Sequence, residues 1–394
     1  MTAATPLADA PSLAGAEDHP HARMVLASAL ASGAPSHAYL FHGPPGTGKR
    51  TVARSLAAEL LAAGDADPAS VRRRVLTGSH PDLSWVKPTG AHVMRVDDVE
   101  ERVIVAATRT PFEARRRVFV LEGAETMNDE VANRMLKTLE EPASFVHLLL
   151  VTDALSRVLE TVVSRCQLVR FDPLPVARIA AALEREGVRS DRAGGCARLA
   201  LGSQRRGRFL ASEDGETLRN EVARLIGHAL ADPDPDPDAD SEVRPADAFE
   251  EPWQALLERA EHSRAEAEAA VAREQAARLE LEPKGRARSA LSRDFDEAAK
   301  RDGRRARTAV LELALDLAAI EFRDLACVAE GATDAVLASD RRAELGARAS
   351  GRDPGALRTA VERCDETRRS LQLNVNEELA LQALNFRLRG LFAG

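Results

Sequence analysis

The stretch GPPGTGKRT, residues 43–51, has the residue types and spacing of a phosphate-holding loop: Gly43, four residues, Gly48, then Lys49. Backbone N–H groups freed by Gly43, Gly46 and Gly48 can surround an anion, and Lys49 adds a point charge. A tight strand-to-helix turn would use the same glycines for geometry alone. A nucleotide-hydrolysing loop continues with Ser or Thr, whose hydroxyl holds magnesium. Arg50 stands there instead, with no oxygen to give and a charge that repels a metal ion. Thr51 comes one residue too late, roughly 100° around a helix. A second chemical position lies in RVFVLEGAE, 117–125. Enzymes with such loops end an apolar strand in an Asp that holds the metal, and those that hydrolyse add a Glu that orients water. Here the two places hold Glu122 and Gly123. Gly123 polarises nothing, and Glu125, on the turn, needs an unusual geometry to act. The strand end therefore reads as structural, a degenerate Walker B motif. The third candidate is Ser164-Arg165-Cys166, just ahead of the apolar run QLVRF. An arginine at a strand start is most often solvated or salt-bridged. At the end of a nucleotide-binding domain its guanidinium can instead reach a neighbour's γ-phosphate and stabilise transition-state charge.

These residues need elements to position them. HAYLF (37–41) predicts a strand running into the loop, and TVARSLAAELLAA (51–63) has helical spacing after it. Strand, glycine loop and helix together give the loop its structural context. RVFVLEG (117–123), VHLLLVTD (146–153) and QLVRF (167–171) predict three more strands. Their continuous apolar runs suit a parallel sheet buried on both faces. ARMVLASALAS (22–32) predicts a helix, as does DEVANRMLKTLEE (129–141). Asn128 can cap the latter, Asp129 and Glu130 suit its first turn, and Val131, Met135, Leu136 and Leu139 share a stripe. The alternation predicts a doubly wound α/β domain over residues 1–172. A small helical module follows over 173–225, opened by PLPVARIAAALEREG. Residues 226–250 contain ADPDPDPDADSE, in which alternating Asp and Pro deny regular structure, so an acidic linker is expected there. Residues 251–394 read as helices: a charge-rich one over 251–281 broken at EPKG, an apolar LELALDLAAIEF (311–322), and a closing helix within 373–392 capped by Asn376.

Composition narrows the classes. The 394 residues suffice for two or three domains; 4% are aromatic, and abundant Ala, Leu, Arg and Glu favour helix. A net charge of -8 excludes a strongly basic nucleic-acid binder, though not a local basic surface. No apolar run reaches the 18 or so residues of a membrane span. The first residues lack the basic and apolar regions of a signal peptide, so a cytoplasmic protein is expected. Cys166, Cys196, Cys327 and Cys364 are scattered without a C-x-x-C pair, which argues for reduced thiols and against a Cys-rich zinc site. His19, His21 and His80 lie in polar, Pro-containing stretches and are expected in solvated loops rather than on a metal. The runs Arg72–Arg74 and Arg115–Arg117 are expected on solvated faces, with partner or DNA contact as the alternative.

SHAYLFHGPPGTGKRTVA, GSHPDLSWV, MRVDDVEE, TPFEARRRVFVLEGAETMN, ANRMLKTLEEP and the SRC triplet together cover most of residues 20–172. Through them the chain resembles the clamp-loader ATPase family. The basic residue after the loop lysine looks like the delta-prime subunits of that family rather than its ATP-hydrolysing motor subunits. The resemblance implies an AAA+ P-loop domain with a parallel sheet, a small helical lid and an all-α C-terminal collar that holds a ring together. It makes Arg165, between Ser164 and Cys166, an arginine finger offered in trans. It makes Gly43, Gly46, Thr47, Gly48, Lys49 and Thr51 an inherited phosphate loop, so that no cofactor is required and ATP is the nucleotide in question. Thr152 resembles the first sensor and Arg205 the second, with Arg206 as an alternative. The implied partners are tau/gamma-like motor and delta-like subunits in a hetero-pentameric ring, with the sliding clamp and primed DNA reached through the complex. Many relatives carry a four-Cys zinc module before the acidic strand; residues 1–165 contain no Cys, so that module is metal-free or absent. The expected role is a non-hydrolysing stator in clamp loading during DNA replication. The alternatives are a catalytically active AAA+ ATPase, either a motor clamp-loader subunit or a helicase motor, and a pure scaffold without trans catalysis.

Overall fold

A computed structural model describes residues 13–88, 93–231, 251–281, 286–371, 373 and 375–392. Its contacts divide the chain into two compact units, residues 1–175 with 201–205, and residues 176–200 with 206–394.

In the first unit the apolar runs become the strands β1 (Ala38–His42), β2 (Leu83–Val86), β3 (Arg117–Glu122), β4 (Val146–Thr152) and β5 (Gln167–Arg170). They form one parallel sheet in the order β2-β3-β4-β1-β5. β1 lies between β4 and β5, so the loop leaving it opens where the strand order reverses, the usual place for a ligand in such sheets. Register aligns His42 with Thr152 and Val151 with Glu122, which brings the loop, the strand-end acid and Thr152 to one edge of the sheet, whereas Arg165, ahead of β5, lies at the opposite edge. The helices are α1 (Pro20–Ala31), α2 (Lys49–Ala62), α3 (Pro68–Thr77), α4 (Val96–Val99), α5 (Asp129–Glu140) and α6 (Glu160–Val163). Alternate strand residues face opposite sides. Tyr39, Phe41, Val118, Val120, Leu149 and Val151 pack with Val52, Leu56 and Leu60 of α2. Leu40, Phe119, Leu121, Leu148 and Leu150 pack with Val131, Met135 and Leu139 of α5. Asn128 caps α5 as its sequence predicts, accepting from the Val131 N–H at 3.0 Å.

The second unit is helical: α7 (Val176–Arg185), α8 (Ser190–Leu199), α9 (Gln204–Ala211), α10 (Glu213–Leu230), α11 (Gln254–Leu281), α12 (Arg286–Ala329), α13 (Arg342–Ala349), α14 (Pro354–Leu371) and α15 (Glu377–Phe392). Residues 226–230, expected as the start of the linker, are instead the last turn of α10. Leu218, Val222, Leu225, Ile226 and Ala229 form one buried stripe that carries the helix onward. The Asp/Pro-rich residues 232–250 and the break at 282–285 lie outside the described residues. Leu311, Leu315 and Phe322 of α12 are buried, as the apolar run 311–322 predicts. Asn376 caps α15 through the Leu379 N–H at 3.0 Å. Among the described residues no helix is long and apolar enough to cross a membrane, and no cluster of three or more metal-binding side chains occurs.

Candidate functional site

The loop 43–48 joins β1 to α2, and its lysine is turned inward. Lys49 is 4% exposed. Its ammonium donates to the carbonyl oxygens of Gly43 at 2.7 Å and Pro44 at 2.6 Å, and pairs with Asp153 Oδ1 at 2.7 Å. An ammonium has three N–H donors, and these three acceptors use them all. Burial pulls its pKa below the ordinary lysine value, and Asp153 opposes that shift. Asp153, the residue after β4, was missed in the sequence; its only signal is its place one residue beyond Thr152. Thr47 is buried, donates its hydroxyl to the Pro44 carbonyl at 2.9 Å, and accepts on its own carbonyl from His19 Nε2 at 2.6 Å. Ser203 lies against the loop, since a Cβ on Gly46 would fall 1.9 Å from its hydroxyl. Thr51 is exposed beneath Gly15, one helical position away from where a metal-holding hydroxyl belongs.

The strand-end acid has internal partners as well. Glu122, 7% exposed in its side chain, pairs through Oε2 with Arg50 at 2.7 Å. Its Oε1 accepts from the Trp85 indole N–H at 2.6 Å. Arg54, one turn after Arg50 on α2, lies 4.4 Å from the centre of the Trp85 ring and donates to the Leu76 carbonyl at 3.1 Å. Four side chains from α2, β2 and β3 thus form one connected network. Magnesium requires a near-octahedral set of oxygens. Here the loop hydroxyl is replaced by Arg50, and both oxygens of the acid are engaged. The residues present do not fit a magnesium nucleotide site. Gly123 follows at φ +70° with Pro88 Cγ 3.0 Å from where a Cβ would stand, so a glutamate there would be strained. Glu125 is half-buried with one carboxylate oxygen enclosed and unpartnered. It contributes to the electrostatics of Lys49.

The remaining candidates are dispersed. Thr152 ends β4, is 1% exposed, and its hydroxyl accepts from the Ala154 N–H at 3.0 Å. Arg165 lies in the turn before β5, half-buried. It donates through Nε to Glu140 Oε1 at 2.8 Å, with a second bond from the guanidinium to the same oxygen, and to the Thr161 carbonyl at 2.8 Å. Ser164, exposed, accepts from Arg165 at 3.2 Å. Cys166 packs against the α5 side of the sheet, and burial pushes its thiol up to about 12, so it remains protonated. Of the two second-sensor candidates, Arg205 is exposed and Arg206 pairs with Asp316 at 2.5 Å.

Three groups expected in solvent are not there. His19 and His80 are each 3% exposed, and burial lowers both imidazole pKa values. His19 is drawn in by Thr47 and by the Phe171 ring 4.8 Å away; His80 packs beside Glu113. Arg117 is likewise buried, lying over Phe112 and Phe119, because it opens a strand whose residues are all buried.

A five-stranded parallel sheet in this order, with a phosphate-loop sequence between β1 and α2, defines the first unit as an α/β domain of P-loop type. Residues 18–175 match the family model described as "DNA polymerase III, delta subunit". The delta-prime subunit of DNA polymerase III from Bacillus subtilis is 34% identical over 164 residues, 40% of this chain and 49% of that one. Its counterpart from Pseudomonas aeruginosa is 41% identical over 155 residues, 38% of this chain and 46% of that one. The gamma/tau subunit of Mycobacterium bovis is 33% identical over 177 residues, 43% of this chain and 30% of that one. Over residues 18–175 the chain is therefore similar to clamp-loader subunits, the delta-prime subunits among them. It spans about half the length of the delta-prime relatives it matches.

Proposed function

We propose that this chain is a delta-prime-like subunit of a DNA polymerase III clamp loader, one that does not hydrolyse nucleotide itself. It sits in a ring beside tau/gamma-like motor and delta-like subunits and helps load the sliding clamp onto primed DNA. The observation that carries this reading is the internal use of both loop cations: Lys49 goes to Asp153 and the loop carbonyls, and Arg50 to Glu122. A pocket so engaged has neither a metal ligand in its loop nor a residue placed to activate water. Arg165 contributes to the neighbour instead. Glu140 and the Thr161 carbonyl hold its guanidinium in one orientation, and the side chain keeps 32% of its surface exposed. Glu140, 47% exposed, is a weak competitor, so a triphosphate, with more charge and more acceptor oxygens, can take the guanidinium over. Arginine fingers supplied this way are worth about 10³–10⁵ in rate.

The test is Arg165→Ala in a reconstituted loader. Ring assembly and the fold are expected to persist, while DNA-stimulated ATP turnover of the assembly falls by about 10² or more. Turnover equal to that of the unsubstituted assembly would remove the trans-catalytic role and leave a scaffold.

A further inference from the structure

Resting on the reading of the loop as non-hydrolysing, we infer that Arg50 is a built-in replacement for the divalent cation, which makes the strand-end acid independent of metal. Glu122 ends β3 at the place where a metal-holding acid stands in hydrolysing relatives of the motif. Its side chain is 7% exposed, and a carboxylate so enclosed needs a countercharge. In a metal site the ion supplies that charge. Here the Arg50 guanidinium supplies it at 2.7 Å, from the first turn of the helix that the phosphate loop opens. The second oxygen is taken by Trp85 at 2.6 Å, and the indole is fixed in turn by Arg54 over its ring. The same turn of α2 deals with the other acid at this edge, because Lys49 pairs with Asp153 after β4. Every carboxylate oxygen of Glu122 thus has a partner from the chain itself. A guanidinium keeps its charge at any physiological pH and presents a planar fork of donors to a carboxylate, so it replaces the ion permanently rather than conditionally. Arg50→Thr would reverse this. It restores the hydroxyl of a metal-binding loop and leaves Glu122 enclosed without a countercharge.

The experiment uses the purified full chain, with manganese as the probe. Thermal unfolding is followed in chelator and in millimolar manganese, and bound ion is read by paramagnetic resonance. The unsubstituted chain is expected to melt at the same temperature in both conditions and to bind no manganese at Glu122. Arg50→Thr is expected to melt several degrees lower in chelator and to recover with manganese, through an ion site that Arg50→Thr/Glu122→Gln lacks. Arg50→Lys, which keeps the charge, should stay indifferent to metal. If Arg50→Thr does not fold in chelator, the double variant decides: removing both charges should restore folding, and a double variant that is equally unfolded overturns the inference. It is also overturned if the unsubstituted chain binds manganese through Glu122, or if Arg50→Thr is unaffected by chelator and gains no such site. None of these outcomes touches Arg165, so a failure here is distinguishable from a failure of the clamp-loader role.

Discussion

At Gly43 the backbone adopts φ +145°, and a Cβ added there would stand 2.0 Å from the carbonyl oxygen of Phe171. That oxygen belongs to the chain just beyond β5 and cannot give way like the end of a flexible side chain. Gly43→Ala is therefore expected to cost about 2–4 kcal/mol, read as a lower urea midpoint; a change within about 0.5 kcal/mol would show that the loop relaxes freely. Gly43 thus serves the fold whatever the loop binds, which explains how the glycines can persist beside a residue that excludes metal. Individual residues were unevenly legible. Spacing alone marks Lys49, Arg50 and Glu122, because their meaning is positional. Their actual partners were not legible: Asp153 lies far from Lys49 in sequence and Trp85 is separated from Glu122 by 37 residues. His19 and His80 were misplaced for the same reason. Local polarity describes the neighbours in the chain, whereas burial was decided by Thr47, Phe171 and Glu113.

Among the elements, β1, β3 and β4 were legible because strands buried on both faces must be apolar throughout, and their residues are buried with the exception of His42. β2 was not. It has four residues, is only partly buried, lies at the edge of the sheet, and its Ser84 interrupts the apolar signal. Its register against β3 is secured nearby by Asp82. That side chain is fully buried and accepts the backbone N–H groups of Phe112, Glu113 and Ala114 at 2.6, 3.0 and 3.0 Å. Three charge-assisted bonds thus tie the turn before β3 to the turn before β2. Asp82→Ala leaves the three donors unmatched until water reaches them, at an expected cost of about 2–4 kcal/mol. Freed of this anchor, the arginine-rich stretch 115–117 should be cut faster by trypsin under native conditions. Unchanged stability together with unchanged cleavage would mean that the turn is held by Glu113 with Arg74 and His80 instead. At the end of α10 the opposite error arose. The Asp/Pro composition after residue 230 suggested a linker from 226, but Ile226 and Ala229 belong to the buried stripe, and burial prevails over the proximity of helix-breaking residues.

For the whole molecule, the α/β unit was legible through its strands and loops, since its motifs fall where the two meet, whereas the inclusion of residues 201–205 in that unit left no signal. The helical unit was legible only as helices. Some of its ion pairs, such as Arg219 with Asp340 at 2.7 and 2.9 Å, join residues more than a hundred positions apart and leave no periodic trace. In the first unit the lysine that a nucleotide would engage and the acid that its metal would engage are both paired within the chain, while Arg165 remains half-exposed at the turn before β5. The most direct test is steady-state ATP turnover by the purified chain with magnesium, with and without primed DNA, beside its Lys49→Ala variant. The account predicts turnover indistinguishable from the variant under every condition. Magnesium-dependent turnover that Lys49→Ala abolishes would contradict it.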